Sequence, residues 1–179
     1  RRVAKLVPQE TGADLCEIET VTPYTGSYNA VVDQGQREVN SGFEPELKPI
    51  SADLSQYDTI ILGTPVWWYT FAPAMRTLLA HQDFSGKVIY PFATNGGWLG
   101  HTFQDIAQMC SGAKVQSGLN IHFDSDRLVT PEADILRFCN RESVFCLFYH
   151  GITYSYRKNR QNYSLVIQMM QNLSIFVGV

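Results

Sequence analysis

Continuous apolar runs occur at intervals along the first 140 residues of the chain. The clearest is residues 57–63, Tyr-Asp-Thr-Ile-Ile-Leu-Gly, which is typical of a strand that is covered on both faces of a sheet. Shorter runs predict three more strands, at residues 13–21, 87–94 and 113–119.

Amphipathic stretches that lie between these strands predict helices. Pro73 and Pro131 stand where the first turn of a helix tolerates proline, and Gly12 can close a helix at its C-terminal end. The predicted helices are residues 1–11, 28–39, 74–81, 102–110 and 131–138. The polar stretch 22–56 carries several Pro and Gly residues and is interpreted as a long surface connection around the second of these helices.

The alternation of strands and helices predicts an α/β protein with a doubly wound, parallel sheet. Sheets of this class bind ligands outside the carboxyl ends of their strands, at the point where the strand order reverses. This rule directs attention to the loops that follow Gly63 and Thr94.

Large rings dominate the first loop, which reads Thr64, Pro65, Val66, Trp67, Trp68 and Tyr69. Rings at the tip of a strand meet solvent unless something covers them. A flat aromatic cofactor would cover them by offset stacking, which contributes roughly 0.5–1.5 kcal/mol beyond area burial. The alternative, that the rings only cap the sheet, stays open at this point.

The second loop is rich in glycine and reads Thr94, Asn95, Gly96, Gly97 and Trp98. Glycine has no Cβ, so its backbone N–H and C=O groups can approach the edge of a planar ligand. The side chain of Asn95 offers both a donor and an acceptor. Gly-Gly alone is weak evidence, but the pairing with an aromatic loop on an adjacent strand favours a binding site.

The order of these motifs closely resembles the flavodoxin family, and most closely its bacterial branch with a Trp-Trp pair after the third strand. The resemblance extends from residue 1 to about residue 138. It implies FMN as the cofactor, with the backbone of residues 64–68 and 94–97 lining the isoalloxazine. It also implies that Trp67 packs against the flavin, with Trp98 as the candidate for the other side.

The chain departs from the family at its beginning and at Tyr69. Residues 1–11 already read as a helix, whereas the family places a first strand and a phosphate-binding loop before that helix. We therefore expect the 179-residue chain to lack this strand and loop, and to bind FMN weakly. Tyr69 stands where this branch commonly has Gly, a residue that lets the peptide reorient when the flavin is reduced.

The last 40 residues are predicted to be separate from the domain. Net charge is −6 over residues 1–139 (10 basic, 16 acidic) and +3 over residues 140–179 (4 basic, 1 acidic). We therefore divide the chain into a flavodoxin-like domain, residues 1–139, and a tail of undefined structure, residues 140–179. Within the tail, residues 143–149 suggest a strand and residues 163–173 a helix. A strand from the tail filling the vacant centre of the sheet is the less favoured alternative.

Composition and residue spacing argue against several other classes of function. The acidic body argues against nucleic acid, and no apolar run reaches the roughly 18 residues of a membrane span. The four histidines have no carboxylate or cysteine at metal-ligand spacing. The four scattered cysteines fit reduced thiols in a cytoplasmic protein.

The leading hypothesis is an FMN-binding electron-transfer protein that serves redox partner proteins or a small-molecule acceptor. A flavin-dependent NAD(P)H:quinone-type oxidoreductase is the enzyme alternative. A scaffold or interaction domain without flavin is the third. The sequence leaves open whether the protein is an enzyme.

Overall fold

The computed structural model describes Val3, residues 13–140 and the backbone of residues 164–169. Eight strands form one sheet: β1 Asp14–Ile18, β2 Thr59–Trp67, β3 Thr70–Phe71, β4 Val88–Asn95, β5 Lys114–Val115, β6 Leu119–Asp124, β7 Arg127–Leu128 and β8 Ser164–Met169. The helices longer than one turn in residues 13–140 are α1 Tyr28–Ser41, α2 Pro73–His81, α3 Thr102–Met109 and α4 Glu132–Cys139.

The sheet has the doubly wound, mainly parallel form that the sequence predicts. Its order is β1-β8-β2-β4-β6-β7, and β1, β8, β2, β4 and β6 run parallel to their neighbours. Two short strands are antiparallel additions, β3 on β2 and β7 on β6. The α/β fold class is therefore confirmed.

Strand β8 is an interior strand of the sheet and lies between β1 and β2. Ile61 of β2 pairs with Val166, and Cys16 of β1 pairs with Ile167. The helix that we predicted at residues 163–173 is thus wrong over residues 164–169. The physical reason is that the facing N–H and C=O groups of β1 and β2 need partners, and an inserted strand supplies them.

The place of β8 is the one that the family order gives to its first strand. The structure therefore agrees with the less favoured alternative, in which the tail fills the vacant centre, and not with a tail wholly separate from the sheet. The boundary near residue 140 stays a prediction. The strand predicted at residues 143–149 lies outside the described residues.

Helices cover both faces of the sheet. Alternate residues of β2 point to opposite faces, so Ile60 and Leu62 pack in one core cluster and Ile61 in the other. The first cluster lies under α1, α2 and α3, with Val31, Met75, Leu78 and Ile106 as buried members. The second lies under α4, with Ile121, Ile135, Phe138 and Val3.

Local signals located most elements to within a few residues. The exceptions are β3 and β7, which the sequence analysis missed, and the strand predicted at residues 113–119. In its place the structure has the short strand Lys114–Val115 and then β6, which begins only at Leu119. No helix in the described part of the chain is long and apolar enough to cross a membrane.

Candidate functional site

The carboxyl ends of three neighbouring strands bring the two predicted loops together. Pro65 of β2 pairs with Thr94 of β4, and Asn95 of β4 pairs with His122 of β6. The predicted residues Thr64, Pro65, Val66, Trp67, Trp68, Thr94, Asn95, Gly96, Gly97 and Trp98 therefore lie along one edge of the sheet. We call this edge, with the loops that leave it, the carboxyl edge.

The segment predicted as a loop after Gly63 is in fact the continuation of a strand. β2 runs on to Trp67 and turns back through a hairpin, in which Val66 pairs with Phe71 and Trp67 with Thr70. The strand continues because β4 pairs with Thr64 and Pro65, and β3 pairs with Val66 and Trp67. The apolar run alone does not indicate such partners.

Trp68 and Tyr69 form the two-residue turn of this hairpin, and both have positive φ angles, 47° and 67°. Such turns favour Asn-Gly because side chains with a Cβ are strained in the left-handed region. The departure at Tyr69 therefore has a structural consequence. A large ring occupies a backbone conformation that glycine adopts freely.

Trp67 is a core residue. Its ring is 2 % exposed and lies edge-on to Tyr24, with the ring centroids 5.0 Å apart. A Cβ on Gly35 of α1 would lie 2.9 Å from Trp67 Cε3, so the helix approaches the indole closely. The Trp67 ring is therefore covered by Tyr24 and α1, whereas the sequence analysis expected a cofactor to cover it. The predicted contact between Trp67 and a flavin stays a prediction.

The phenol of Tyr24, beside Trp67, has a carboxylate partner. Its hydroxyl donates to Glu38 Oε2 at 2.5 Å, and Gln34 Nε2 donates to Glu38 Oε1 at 2.7 Å. Burial, followed by the bond to Glu38, raises the pKa of Tyr24 well above its usual range. Tyr24 is thus a neutral donor that links the Trp67 ring to α1.

Trp68 and Thr64 also have their polar groups satisfied within the chain. Trp68 Nε1 donates to the carbonyl of Val32 at 3.2 Å. The hydroxyl of Thr64 donates to the Pro65 carbonyl at 3.0 Å and accepts from the Ala72 amide at 3.3 Å. In this structure both side chains fasten the hairpin to its neighbours.

The second loop is organised by Asn95, which is buried. Its Oδ1 accepts from the amide of Gly97 at 2.9 Å, and its Nδ2 donates to Asn120 Oδ1 at 2.5 Å. Both halves of the amide are thus engaged, and they hold the glycine pair in place. Gly97, at φ 129°, is exposed and carries no side chain that would block its backbone.

Two exposed rings flank the carboxyl edge. Tyr69 is 48 % exposed and Trp98 is 49 % exposed. Their loops touch, because a Cβ on Gly100 would lie 2.1 Å from the Tyr69 carbonyl oxygen, and the His101 amide donates to that oxygen at 2.8 Å. Rings placed so are accessible to a planar ligand, whereas the ring of Trp67 is covered.

Several residues near this edge were absent from the predicted site. Tyr69 was named as a ring of the first loop and as a departure but not as a site residue, and Asn120 had no part in the sequence argument. The assessment of the histidines as metal ligands overlooked Asp105, which lies four residues after His101. A signal did exist for Tyr69, since it stands where the resembling branch commonly has Gly. The others come close only through strand pairing and the first turn of α3.

The described residues fit the ring system of a flavin. The carboxyl edge has a half-buried Gly96, an exposed Gly97 and two exposed rings on adjacent loops. These features define a doubly wound α/β protein with exposed aromatic rings at the carboxyl ends of its strands. This class of protein includes the flavodoxins.

The chain belongs to the flavodoxin family, whose model matches residues 1–130. A protein assigned as a flavoprotein from Bacteroides uniformis ATCC 8492 superposes with a TM-score of 0.67 at 23 % identity, over 78 % of this chain and 89 % of that one. Its counterpart from Bacteroides eggerthii DSM 20697 gives 0.66 at 24 % identity, over 78 % and 87 %. Both likenesses show the fold.

Two further relatives carry the name of a cofactor. A flavoprotein solved in complex with FMN, from Lactobacillus acidophilus NCFM, superposes with a TM-score of 0.56 at 19 % identity, over 66 % of this chain and 83 % of that one. The FMN reductase (NADPH) of Escherichia coli strain K12 is 38 % identical over 55 residues. That match spans 29 % of each protein, so this chain covers less than a third of that relative. The predicted cofactor, FMN, agrees with these findings.

Proposed function

We propose that this flavodoxin-family chain binds FMN at the carboxyl edge and passes electrons through it to a redox partner protein or a small acceptor. The observation that carries the proposal is the pair of exposed rings, Tyr69 and Trp98, beside the open backbone of Gly96 and Gly97. Bound FMN would supply the electron chemistry, and the protein would hold and orient it.

The chain's own residues divide the work of holding the flavin. Tyr69 and Trp98 offer ring faces for stacking, while the Gly96 amide and the carbonyl groups of Gly96 and Gly97 offer hydrogen bonds to a ring edge. Asn95 keeps that backbone in place through its bonds to Gly97 and Asn120. All of these contacts are directed at the isoalloxazine and not at the phosphate.

Titration with FMN and with riboflavin tests the proposal. We expect both flavins to bind and their fluorescence to be quenched, because the stacking rings meet the part that the two ligands share. Trp98→Ala should weaken both. Phe43→Ala is the matched control, since Phe43 is equally exposed but follows the C-terminal end of α1. Absence of binding to either flavin would overturn the proposal.

The ratio of the two affinities addresses the phosphate separately. A preference for FMN of roughly a hundredfold corresponds to about 2.7 kcal/mol and would show that this chain supplies a phosphate site. Similar affinities would support the expectation that it lacks one.

A flavin-dependent NAD(P)H:quinone-type reductase is the second candidate. The observation in its favour is the local 38 % identity to a protein named FMN reductase (NADPH). Steady-state oxidation of NADPH with a quinone, dependent on added FMN, would support the reductase. Slow exchange of single electrons with a protein acceptor, without NADPH turnover, would support the carrier.

A further inference from the structure

The turn of Trp68 and Tyr69 needs an external support. Both residues have positive φ angles, and neither is glycine, asparagine or aspartate. Residues held in this region cost energy, and they persist only where the surrounding structure determines the conformation. The contacts of the turn with the first turn of α3 are therefore the place to look for that support.

Asp105 of α3 connects the hairpin to the second loop. Its Oδ2 accepts a hydrogen bond from the hydroxyl of Thr70 and lies 2.5 Å from His101 Nδ1, which donates to it in the tautomer that carries a proton on Nδ1. Thr70 is buried, and it follows Tyr69 directly. One carboxylate thus fastens the hairpin and His101 together.

His101 completes the connection through its backbone. Its amide donates to the carbonyl of Tyr69 at 2.8 Å. The end of the turn is thus held at two groups, the Tyr69 carbonyl and the Thr70 hydroxyl. Gly100, at φ 59°, makes this approach possible, because a Cβ there would lie 2.1 Å from the same carbonyl oxygen. We call Thr70, His101 and Asp105 the turn lock.

We propose that the residues of the turn lock are positioning residues of the flavin site. They hold Tyr69 against the loop that carries Trp98, so that the two exposed rings keep a fixed separation for a planar ligand. Asp105 acts through Thr70 and His101 and not by touching the ligand. This inference rests on the proposed function, and the lock itself can be tested without flavin.

Hydrogen exchange of the His101 amide reports directly on the lock. In the intact protein this amide is bonded to Tyr69, so we expect slow exchange. Asp105→Ala and Thr70→Val should each accelerate it, Asp105→Ala by at least tenfold, while exchange of the Ile61 amide stays unchanged. Thr70→Val keeps the side-chain shape and loses only the hydroxyl, so it serves if Asp105→Ala fails to fold.

Matched controls come from ion pairs elsewhere in the chain. Asp134→Asn removes a helix carboxylate that pairs with Arg137 at 3.0 Å, and His81→Ala removes an exposed imidazole that pairs with Glu44 at 2.9 Å. Neither change should affect the His101 amide or the flavin.

Flavin affinity is the second readout. Asp105→Ala should raise the dissociation constants of FMN and riboflavin by a similar factor, roughly tenfold, because the lock positions rings and not a phosphate site. Unchanged exchange at His101 would overturn the lock. Faster exchange with unchanged flavin affinity would overturn its positioning role. If the unmodified protein binds no flavin, the proposed function and the positioning role both fail, while exchange still decides whether the lock holds the turn.

Discussion

The tip of β2 and the loop after β4 both carry a tryptophan at the carboxyl edge, yet the two rings have opposite environments. Trp67 is 2 % exposed and packs against Tyr24 and Gly35, whereas Trp98 is 49 % exposed and follows two glycines. The comparison shows that a ring can lie at the carboxyl edge and still be inaccessible to a ligand. What differs is whether a helix covers the ring.

Replacement of the buried ring gives the largest expected effect. Trp67→Ala removes a buried aromatic side chain and leaves a cavity, so we expect the free energy of unfolding to fall by about 3–5 kcal/mol. Trp98→Ala should change it by less than about 0.5 kcal/mol, as is usual at exposed positions. Urea unfolding of both variants measures the difference. Equal losses of stability would show that the two rings do not differ in burial as we describe.

The junction between the two loops gives the next effect. Gly100→Ala and Gly86→Ala both place alanine at positive φ, but only at Gly100 does the new Cβ meet a neighbour. The left-handed conformation costs each variant about 1–2 kcal/mol. Overpacking against Tyr69 should cost Gly100→Ala about 1–3 kcal/mol more. Similar stability of the two variants would mean that the loops do not meet as closely as we describe.

The pH dependence of stability tests the buried region around Trp67, because Cys110 lies in that region. It lies in the core cluster of Trp67, and burial raises the pKa of its thiol to about 11. A raised folded pKa leaves stability intact below the unfolded value, near 9, and lowers it as pH rises toward 11. At pH 10 the loss should be on the order of 1 kcal/mol.

The control for this measurement is Cys110→Ala, whose stability should fall less between pH 9 and pH 11. The other titratable groups, including Tyr24, are present in both proteins. The difference between the two curves of stability against pH therefore reports on the Cys110 thiol. Identical curves would show that the thiol is not desolvated.

The smallest expected effect concerns the exposed ring and the ligand. An aromatic contact contributes about 0.5–1.5 kcal/mol beyond area burial, so Trp98→Ala should weaken riboflavin binding by about two- to tenfold. Fluorescence titration measures this, with Phe43→Ala as the control. Trp67→Phe, which keeps an apolar ring in the core, should leave the affinity nearly unchanged. A larger loss for Trp67→Phe than for Trp98→Ala would restore the predicted role of Trp67 at the flavin.

The amino-acid sequence was sufficient to predict the fold class and to bring the two candidate loops to one edge of the sheet. Continuous apolar runs are sufficient to identify β2 and β4, because strands buried on both faces tolerate few polar residues. Parallel strands then bring the loops after them to one edge. The predicted residues of both loops do lie there.

Tertiary contacts were needed to show which residues of that edge are covered and which strand lies between β1 and β2. Trp67 and Trp98 look alike in sequence, and the packing of α1 on one of them separates core from surface. The segment 164–169 has apolar positions that suit either a helix or a strand, and the unpaired edges of β1 and β2 select the strand. Both decisions depend on contacts between residues distant in sequence, which local patterns do not encode.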